Sequence, residues 1–397
     1  MIQKIILKID KGGEFLEKYS EVKHLERNDI IKNGSIFTPE KIVCLVKNMC
    51  DFVMDKNTIV LELGSGYGAF INKFKETGKI IGTEYDKLSY EFLCNEFPDV
   101  MFYHENSLKN VCRKKYGISR RDKLLIVGNP PYNDTTSKYR KGQKGSVDCD
   151  TDLMARDLGI SFLKAYEKLN ADYICVLHPL SYIIKKQNFQ LLKQFREHYI
   201  LIDATIFSSR EFETIKKSSS EFPVVAAFYK RSNTGMDYEY IRNFSFKIFE
   251  SEKRFKLSTI KTIDGIIKKY PTKNHTSKIY FYTQRDMNSL MRNKAFTEKK
   301  TENVIDITVE NLYQYAWLYY LKYNFSPKKH SFIYGNLSPL YSKKIERKDI
   351  KNLLVWYAYE KEKLLSCIDK KAIEKEYGKK KDSFEKLKDI LNEFYIF

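Results

Sequence analysis

Short apolar runs alternate with amphipathic stretches over residues 1–230, and this alternation restricts the possible fold more than any other feature of the sequence. Runs with the length and composition of buried strands lie at 58–63, 79–83, 100–104, 123–127, 172–177, 199–204 and 223–229. Helical spacing of apolar residues covers 40–52, 69–75, 88–97, 152–169 and 186–197. Because strands that alternate with helices form a mainly parallel sheet covered on both faces, we predict an α/β fold for this part of the chain.

The chain has 397 residues, which predicts two domains. The polar, turn-forming stretch 231–237 marks the boundary, so we expect one domain over 1–235 and a second over 236–397. The second domain has a less regular pattern, with a dense aromatic segment at 311–323 and a charged segment at 360–393 that we predict to be helical. We therefore expect an α+β domain there.

The formal net charge is +19, and residues 231–397 contribute a net +13 of it, with 34 basic and 21 acidic residues. A basic surface suits a polyanion such as a nucleic acid, because neutralised phosphates release their counterions. The alternative is a lysine-rich, solvated surface that reflects only a biased genome composition. Charge alone leaves both interpretations open.

Other functional classes are disfavoured by what the sequence lacks. The seven cysteines form no CxxC pair and the six histidines show no metal-ligand spacing, so we expect reduced thiols and no metal site. No run of about 18 uncharged apolar residues occurs, and the amino terminus regains charge too soon for a secretory signal. We expect a cytoplasmic protein without membrane attachment.

A glycine-rich turn, Gly64 to Gly68, follows the strand predicted at 58–63 and precedes a predicted helix. Gly64 and Gly66 allow a tight turn and a close approach of a ligand to the backbone. Glu84 follows the next strand, where a carboxylate can accept both hydroxyls of a ribose. Glu62 before the glycines would repel a pyrophosphate but would attract an ammonium group. The pattern predicts a nucleoside site suited to S-adenosylmethionine (SAM).

The sequence Asn-Pro-Pro-Tyr at 129–132 follows the strand predicted at 123–127. Two prolines remove two backbone donors and keep the chain from entering a helix. The Asn129 amide oxygen and the Pro130 carbonyl can then accept both hydrogens of one amino group, and Tyr132 offers a flat face to a planar ring. Those hydrogen bonds would free the nitrogen lone pair to attack a methyl group. The alternative is an ordinary Pro-Pro loop.

Six segments, in order along the chain, resemble the motifs of SAM-dependent DNA adenine-N6 methyltransferases. They are FTP (37–39), LELGSGYG (61–68), GTEYD (82–86), HENSL (104–108), GNPPY (128–132) and HPLSY (178–182). Their order, with the cofactor motifs first and an additional domain last, is similar to the gamma arrangement found in modification enzymes of type II restriction systems. The resemblance covers roughly residues 31–230 and includes no segment of 237–397. It implies a Rossmann-like methyltransferase sheet and a C-terminal target-recognition domain.

The resemblance implies a role for individual residues. Thr38 and Pro39 would close over the methionine end of the cofactor, and Pro131 would line the methyl group. The family usually has an aspartate that accepts from the cofactor's adenine amine, and this chain has Asn106 at that position, whose amide oxygen can also accept. The full implied cofactor-binding set is Phe37, Thr38, Pro39, Glu62, Gly64, Gly66, Glu84, Tyr85, Asn106, Ser107, Asn129 and Pro131.

The implied catalytic residues are Asn129, Pro130, Tyr132 and Phe212. The target adenine would leave the duplex, because N6 inside a base pair cannot be approached in line with the sulfonium methyl. It would stack between Tyr132 and a second aromatic residue, for which Phe212 is favoured over Phe207. The polar segment 133–150 would either close over the flipped DNA or form a plain surface loop.

Other functions stay open at this point. An RNA adenine-N6 methyltransferase and a protein-glutamine N5 methyltransferase share the Asn-Pro-Pro-Tyr motif, and a nucleic-acid-binding subunit with a vestigial methyltransferase fold is a non-enzymatic alternative. A cognate restriction endonuclease encoded separately would be the expected partner besides duplex DNA. The sequence does not predict the recognised DNA word.

Overall fold

We describe the fold from a computed structural model in which residues 38–132, 148–212, 221–325, 331–381 and 383–394 can be described. These residues form two compact units. The first ends at residue 241, and the second contains the chain from residue 242 together with 221–223. The domain functions predicted for 1–235 and 236–397 remain predictions.

The first unit is built on a sheet whose strand order is β3-β2-β1-β4-β5-β7-β6. The strands are β1 (Ile59–Leu63), β2 (Lys79–Glu84), β3 (Met101–His104), β4 (Leu124–Gly128), β5 (Tyr173–Pro179), β6 (Tyr199–Ser208) and β7 (Pro223–Arg231). Strand β1 lies between β2 and β4, and these three strands together with β3 and β5 pair in parallel. Strand β7 runs antiparallel to β5. The parallel pairing was predicted, whereas the reversal at β7 was not.

Helices precede or follow most of these strands. They are α1 (Glu40–Cys50), α2 (Ala69–Phe74), α3 (Lys87–Glu96), α4 (Leu158–Lys168), α5 (Ser181–Ile184), α6 (Lys186–Leu191), α7 (Lys193–His198) and α8 (Tyr238–Asn243). Every residue of β1 and β4 is buried, as a sheet covered on both faces requires. The predicted α/β fold with a mainly parallel sheet is therefore confirmed for the first unit.

Two predicted helices are shorter in the structure than in the sequence analysis. The helix predicted at 152–169 begins only at Leu158, because the Asp157 side chain accepts the backbone N–H of Gly159 and caps it there. The helix predicted at 186–197 is divided into α6 and α7 at Leu192, whose backbone leaves the helical region (φ −91°, ψ 36°).

The second unit contains a β-hairpin of β8 (Phe246–Ile248) and β9 (Ser251–Phe255), and a three-stranded antiparallel sheet with the order β11-β10-β12. The latter strands are β10 (Tyr280–Tyr282), β11 (Phe296–Thr297) and β12 (Val304–Asp306). The helices are α9 (Met287–Arg292), α10 (Leu312–Asn324), α11 (Lys348–Lys361), α12 (Lys370–Tyr377) and α13 (Glu385–Asn392).

The aromatic segment predicted at 311–323 forms the buried helix α10, in which Tyr315 and Trp317 are enclosed. The charged segment 360–393 is helical only in parts. Asp369 caps α12 at its start, and Gly378 ends it with a positive φ of 85°. Within the described ranges, no helix combines the length and apolar composition needed to span a bilayer.

Candidate active site

The carboxyl ends of β1, β2 and β4 bring the predicted site residues to one edge of the sheet. Glu62 pairs in register with Gly82 of β2 on one side and with Val127 of β4 on the other. The glycine turn therefore lies between the chain that continues to Glu84 and the chain that continues to Asn129. This position is where open α/β sheets bind ligands.

The glycine turn has the backbone conformation that glycine permits. Gly64 and Gly66 have φ values of +78° and +55°, and a Cβ atom added at either position would meet no atom within 4 Å. Both residues thus face open space, as a ligand that approaches the backbone needs. Gly68 differs, because a Cβ there would lie 2.6 Å from Phe97 Cε2. Its role is packing.

Glu62 is a buried carboxyl with an unused oxygen. It is 2% exposed, and its Oε2 has no hydrogen-bond partner among the residues that the structure describes. Burial raises the pKa of Glu62 well above its usual value, the nearby Glu84 adds to that effect, and the Ser65 hydroxyl and the Ile71 backbone oppose it. A cation held at Oε2 would compensate for the burial.

Glu84 holds the glycine turn and the end of β2 together. Its carboxylate accepts the backbone N–H groups of Gly66 at 2.7 Å and of Tyr85 and Asp86 at 2.8 Å each. Burial raises the pKa of Glu84, although these three N–H groups oppose the shift. Oε1 already accepts two N–H groups, whereas Oε2 accepts only that of Gly66 and retains a lone pair with which it could accept a ribose hydroxyl.

The remaining predicted cofactor residues have different surroundings. Ser107 is buried and shares a hydrogen bond with Thr83, whose hydroxyl also accepts the N–H of Gly64 at 3.2 Å. The Asn106 amide oxygen accepts the N–H of Leu108 at 2.9 Å, so a purine amine would have to share this acceptor. The Tyr85 side chain is 72% exposed. Phe37 lies outside the described residues.

The Asn-Pro-Pro-Tyr segment leaves β4 beside Glu62. Gly128 has a φ of +144°, and a Cβ added to it would lie 3.4 Å from Glu62 Cγ. The Asn129 amide nitrogen donates to the Thr38 hydroxyl at 3.1 Å, and this bond connects the motif to the start of α1. Pro130 is buried, whereas Pro131 and Tyr132 are half-buried. Sequence reasoning placed all of these residues at the site, but it did not predict the contact between Asn129 and Thr38.

The Tyr132 hydroxyl donates to the Asn129 amide oxygen. Burial holds the pKa of Tyr132 well above its usual value, and Asp157 adds to this effect, so the hydroxyl remains a donor at neutral pH. The acceptor that the motif offers to an amino group is therefore occupied by the motif's own tyrosine. A substrate amine would have to displace this hydroxyl or share the amide oxygen with it.

Asp157 is a residue that the sequence analysis did not identify. It caps α4 and also accepts the hydroxyl of Tyr182 from the HPLSY segment. Tyr182 stacks on His178 with ring centroids 5.5 Å apart, and His178 shares a hydrogen bond of 2.8 Å with the Tyr229 hydroxyl. Burial lowers the pKa of His178 to about 4, so the ring is neutral above that range. The available signal was an aspartate directly before the apolar residue Leu158, within the segment predicted as a helix over 152–169.

Phe207 and Phe212 contact each other edge to face, with ring centroids 5.8 Å apart. Phe212 is 0% exposed and Phe207 is also buried, so neither ring presents an open face for stacking in this structure. The predicted stacking role of Phe212 would require its ring to be uncovered, and it stays a prediction. Of the segment 133–150, only residues 148–150 are described.

Comparisons with known proteins concern the fold. No protein family profile and no curated protein matches the chain. Among solved structures, the chain is similar to the methyltransferase subunit of a type I restriction-modification system from Streptococcus thermophilus, with a TM-score of 0.37 and 11% identity over 56% of this chain and 50% of that one. It is also similar to a dimethyladenosine transferase from Plasmodium falciparum, with a TM-score of 0.33 and 11% identity over 50% of this chain and 63% of that one.

A third similar structure is the 23S rRNA methyltransferase ErmE, with a TM-score of 0.35 and 10% identity over 51% of this chain and 71% of that one. At these TM-scores and identities the likenesses identify neither the substrate nor the cofactor of this chain. The strand order and the parallel pairing of the first unit have the Rossmann-like α/β form that was predicted.

Proposed function

We propose that this protein is a SAM-dependent methyltransferase that acts on N6 of an adenine flipped out of duplex DNA. The observation that carries the proposal is the position of the Asn-Pro-Pro-Tyr segment beside the buried Glu62, with Gly128 against the Glu62 side chain. An amine-accepting motif and a turn suited to a nucleoside with an ammonium group leave adjacent strands at the same sheet edge.

The residues present fit SAM. The unpartnered Oε2 of Glu62 suits the ammonium group of the methionine portion, and the open space at Gly64 and Gly66 suits a ligand lying against the backbone. Glu84 would accept a ribose hydroxyl through the remaining lone pair of its Oε2. Thr38 lies within hydrogen-bond distance of Asn129, so it would place the methionine end next to the acceptor motif.

When bound, SAM supplies an electrophilic methyl group. The Asn129 amide oxygen and the Pro130 carbonyl would accept the two hydrogens of the adenine amine and so direct its lone pair toward that methyl group. Tyr132 would stack on the purine, and such stacking contributes about 1–3 kcal/mol per base. Unstacking costs a few kcal/mol, so this contact would offset much of that cost.

The test is methyl transfer from labelled SAM to duplex DNA by the full chain and by Asn129→Ala. We expect turnover to fall by at least about a hundredfold, since the variant loses an acceptor that is aligned on the reacting nitrogen. SAM affinity, measured by calorimetry, should fall by no more than about tenfold, because the variant loses the contact with Thr38 but keeps Glu62 and Glu84. Asn57→Ala, at an exposed turn away from the site, is the matched control.

RNA and extracted protein serve as parallel substrates in the same assay. Transfer to either of them, with none to duplex DNA, would overturn the substrate assignment. Unchanged turnover in Asn129→Ala would overturn the amine-acceptor role. A separately encoded restriction endonuclease as partner stays a prediction that this assay does not address.

A further inference from the structure

A basic loop, residues 268–278, joins the chain after Ile267 to strand β10 in the second unit. It contains Lys268, Lys269, Lys273 and Lys278 and has no Asp or Glu. Tyr270 in this loop is 71% exposed, although aromatic side chains are generally buried. The sequence analysis did not assign a function to this segment.

The basic loop is held in place by the second unit. The Asp306 carboxylate, at the end of β12, accepts from the His275 ring and from the backbone N–H groups of Thr276 at 2.6 Å and Ser277 at 3.0 Å. In addition, the Thr272 N–H donates to the Val304 carbonyl at 3.0 Å. The exposed side chains therefore project from a fixed backbone, which reduces the entropy lost on binding.

Two of the four lysines are already engaged. Lys269 pairs with Asp264, and Lys268 donates to the Thr272 hydroxyl at 3.1 Å. Lys273 and Lys278 are exposed and have no ion-pair partner within the described parts of the chain. The Lys269 ammonium also lies 6.0 Å from the centre of the Tyr270 ring. The loop thus presents two free cations and a phenol hydroxyl without a carboxylate of its own.

We infer that the basic loop binds the sugar–phosphate backbone of duplex DNA. Lysine ammonium groups and tyrosine hydroxyls are common phosphate ligands, and a segment without carboxylates does not repel a polyanion. The inference rests on the proposed function and deepens it, because it names a surface of the second unit that would bind the duplex.

The test is the affinity of the full chain for a labelled duplex, measured by fluorescence anisotropy over a range of salt concentrations. In Lys273→Ala/Lys278→Ala, we expect the slope of log affinity against log salt to fall by about 2, since each lost phosphate contact removes about 1. Tyr270→Ala should weaken binding by about tenfold through the loss of a hydrogen bond to a charged group. Neither change removes a buried side chain, and unaltered thermal unfolding and SAM binding would verify the fold.

The matched control is Lys371→Ala/Lys375→Ala in helix α12, where both lysines are exposed. It removes the same charge from the same unit. Its lysines, however, belong to a segment that also contains the acidic residues Glu374 and Glu376. Equal losses in the loop variant and the control variant would overturn the inference, because only overall charge would then matter.

The two proposals fail in distinguishable ways. If the wild-type chain methylates DNA and the loop variants bind duplex DNA with the wild-type salt slope, the loop inference is wrong and the proposed function stands. If the wild-type chain neither binds nor methylates duplex DNA, or binds RNA in its place, the proposed function fails and the loop inference fails with it.

Discussion

At the scale of single residues, Glu62 is a buried carboxyl whose charge would change when the proposed cofactor binds. Burial raises its pKa, so the empty site favours the protonated form at a higher pH than usual. The ammonium group of SAM would favour the carboxylate. Binding of SAM would therefore release a proton from Glu62 at pH values between the ordinary and the raised pKa of this carboxyl.

This linkage predicts that SAM binds more tightly as the pH rises through the raised pKa of Glu62, up to the pH at which the SAM amino group itself deprotonates. Glu62→Gln should weaken SAM binding by about tenfold and flatten its pH dependence, because the charge-assisted hydrogen bond is lost. Calorimetry across pH 6–9 measures both effects, with the range chosen around an α-amino pKa of about 8. An unchanged pH profile in Glu62→Gln would contradict the role assigned to Oε2.

The stability of the cofactor-free protein should depend on pH in the opposite direction. A carboxyl whose pKa is raised in the folded state stabilises the fold at low pH, and that contribution is lost as the pH rises above its unfolded value. Glu62→Gln removes this contribution, so above the ordinary carboxyl pKa of 4.5 its free energy of unfolding should be less sensitive to pH than that of the wild type. Urea unfolding at several pH values measures the difference.

Tyr132 has two opposing effects on the acceptor motif, since its hydroxyl occupies the Asn129 oxygen while its ring would support the purine. Tyr132→Phe keeps the ring and frees the oxygen. We expect the KM for DNA to fall by about fivefold, since one hydrogen bond of about 1 kcal/mol no longer has to be exchanged. Tyr132→Ala should instead raise KM, and equal losses in both variants would show that the hydroxyl has a supporting role.

Some of these residues could be predicted from the sequence, and others could not. Glu62 lies near the end of the run at 58–63, Glu84 directly follows the run at 79–83, and Asn129 comes two residues after the run at 123–127. Their place at the strand ends therefore follows from the pattern. The three N–H donors to Glu84 could not be predicted, because they depend on backbone directions within two turns. The burial of Phe212 against Phe207 likewise depends on packing that no local pattern encodes.

At the scale of elements, the glycine turn combines a packing residue and ligand-facing residues. Gly68→Ala should lower the free energy of unfolding by about 1–3 kcal/mol, because its Cβ would collide with Phe97 and its φ is +83°. Gly64→Ala is the matched comparison, since its Cβ would meet no neighbour. We expect a smaller loss of stability in Gly64→Ala but a larger loss of SAM affinity, measured by urea unfolding and calorimetry. Similar effects of both changes would contradict this division.

Element boundaries were the weaker part of the prediction. Apolar runs located all seven strands of the first unit, including β3, whose residues are exposed or half-buried. The division of 186–197 at Leu192 has no glycine or proline to mark it. The antiparallel β7 was also not predicted, since a strand's composition does not encode its direction.

At the scale of the whole molecule, the net charge of +19 would make the proposed binding of DNA sensitive to salt. We expect the KM for DNA to rise by at least about tenfold between 50 and 200 mM salt, whereas the affinity for SAM should change little. Steady-state kinetics at several salt concentrations measures the first quantity and calorimetry the second. A KM for DNA that is independent of salt would contradict a phosphate-binding surface.

The arrangement of Tyr132 over Asn129 has a kinetic consequence. The hydroxyl that leaves the Asn129 oxygen and the ring that would receive the purine belong to the same side chain. Release of the oxygen and stacking of the purine would therefore be a single rearrangement. Rapid mixing of the protein with DNA containing a fluorescent adenine analogue should therefore give one relaxation whose rate saturates with DNA concentration. Its limiting value should increase in Tyr132→Phe, since the rearrangement then begins from an open oxygen.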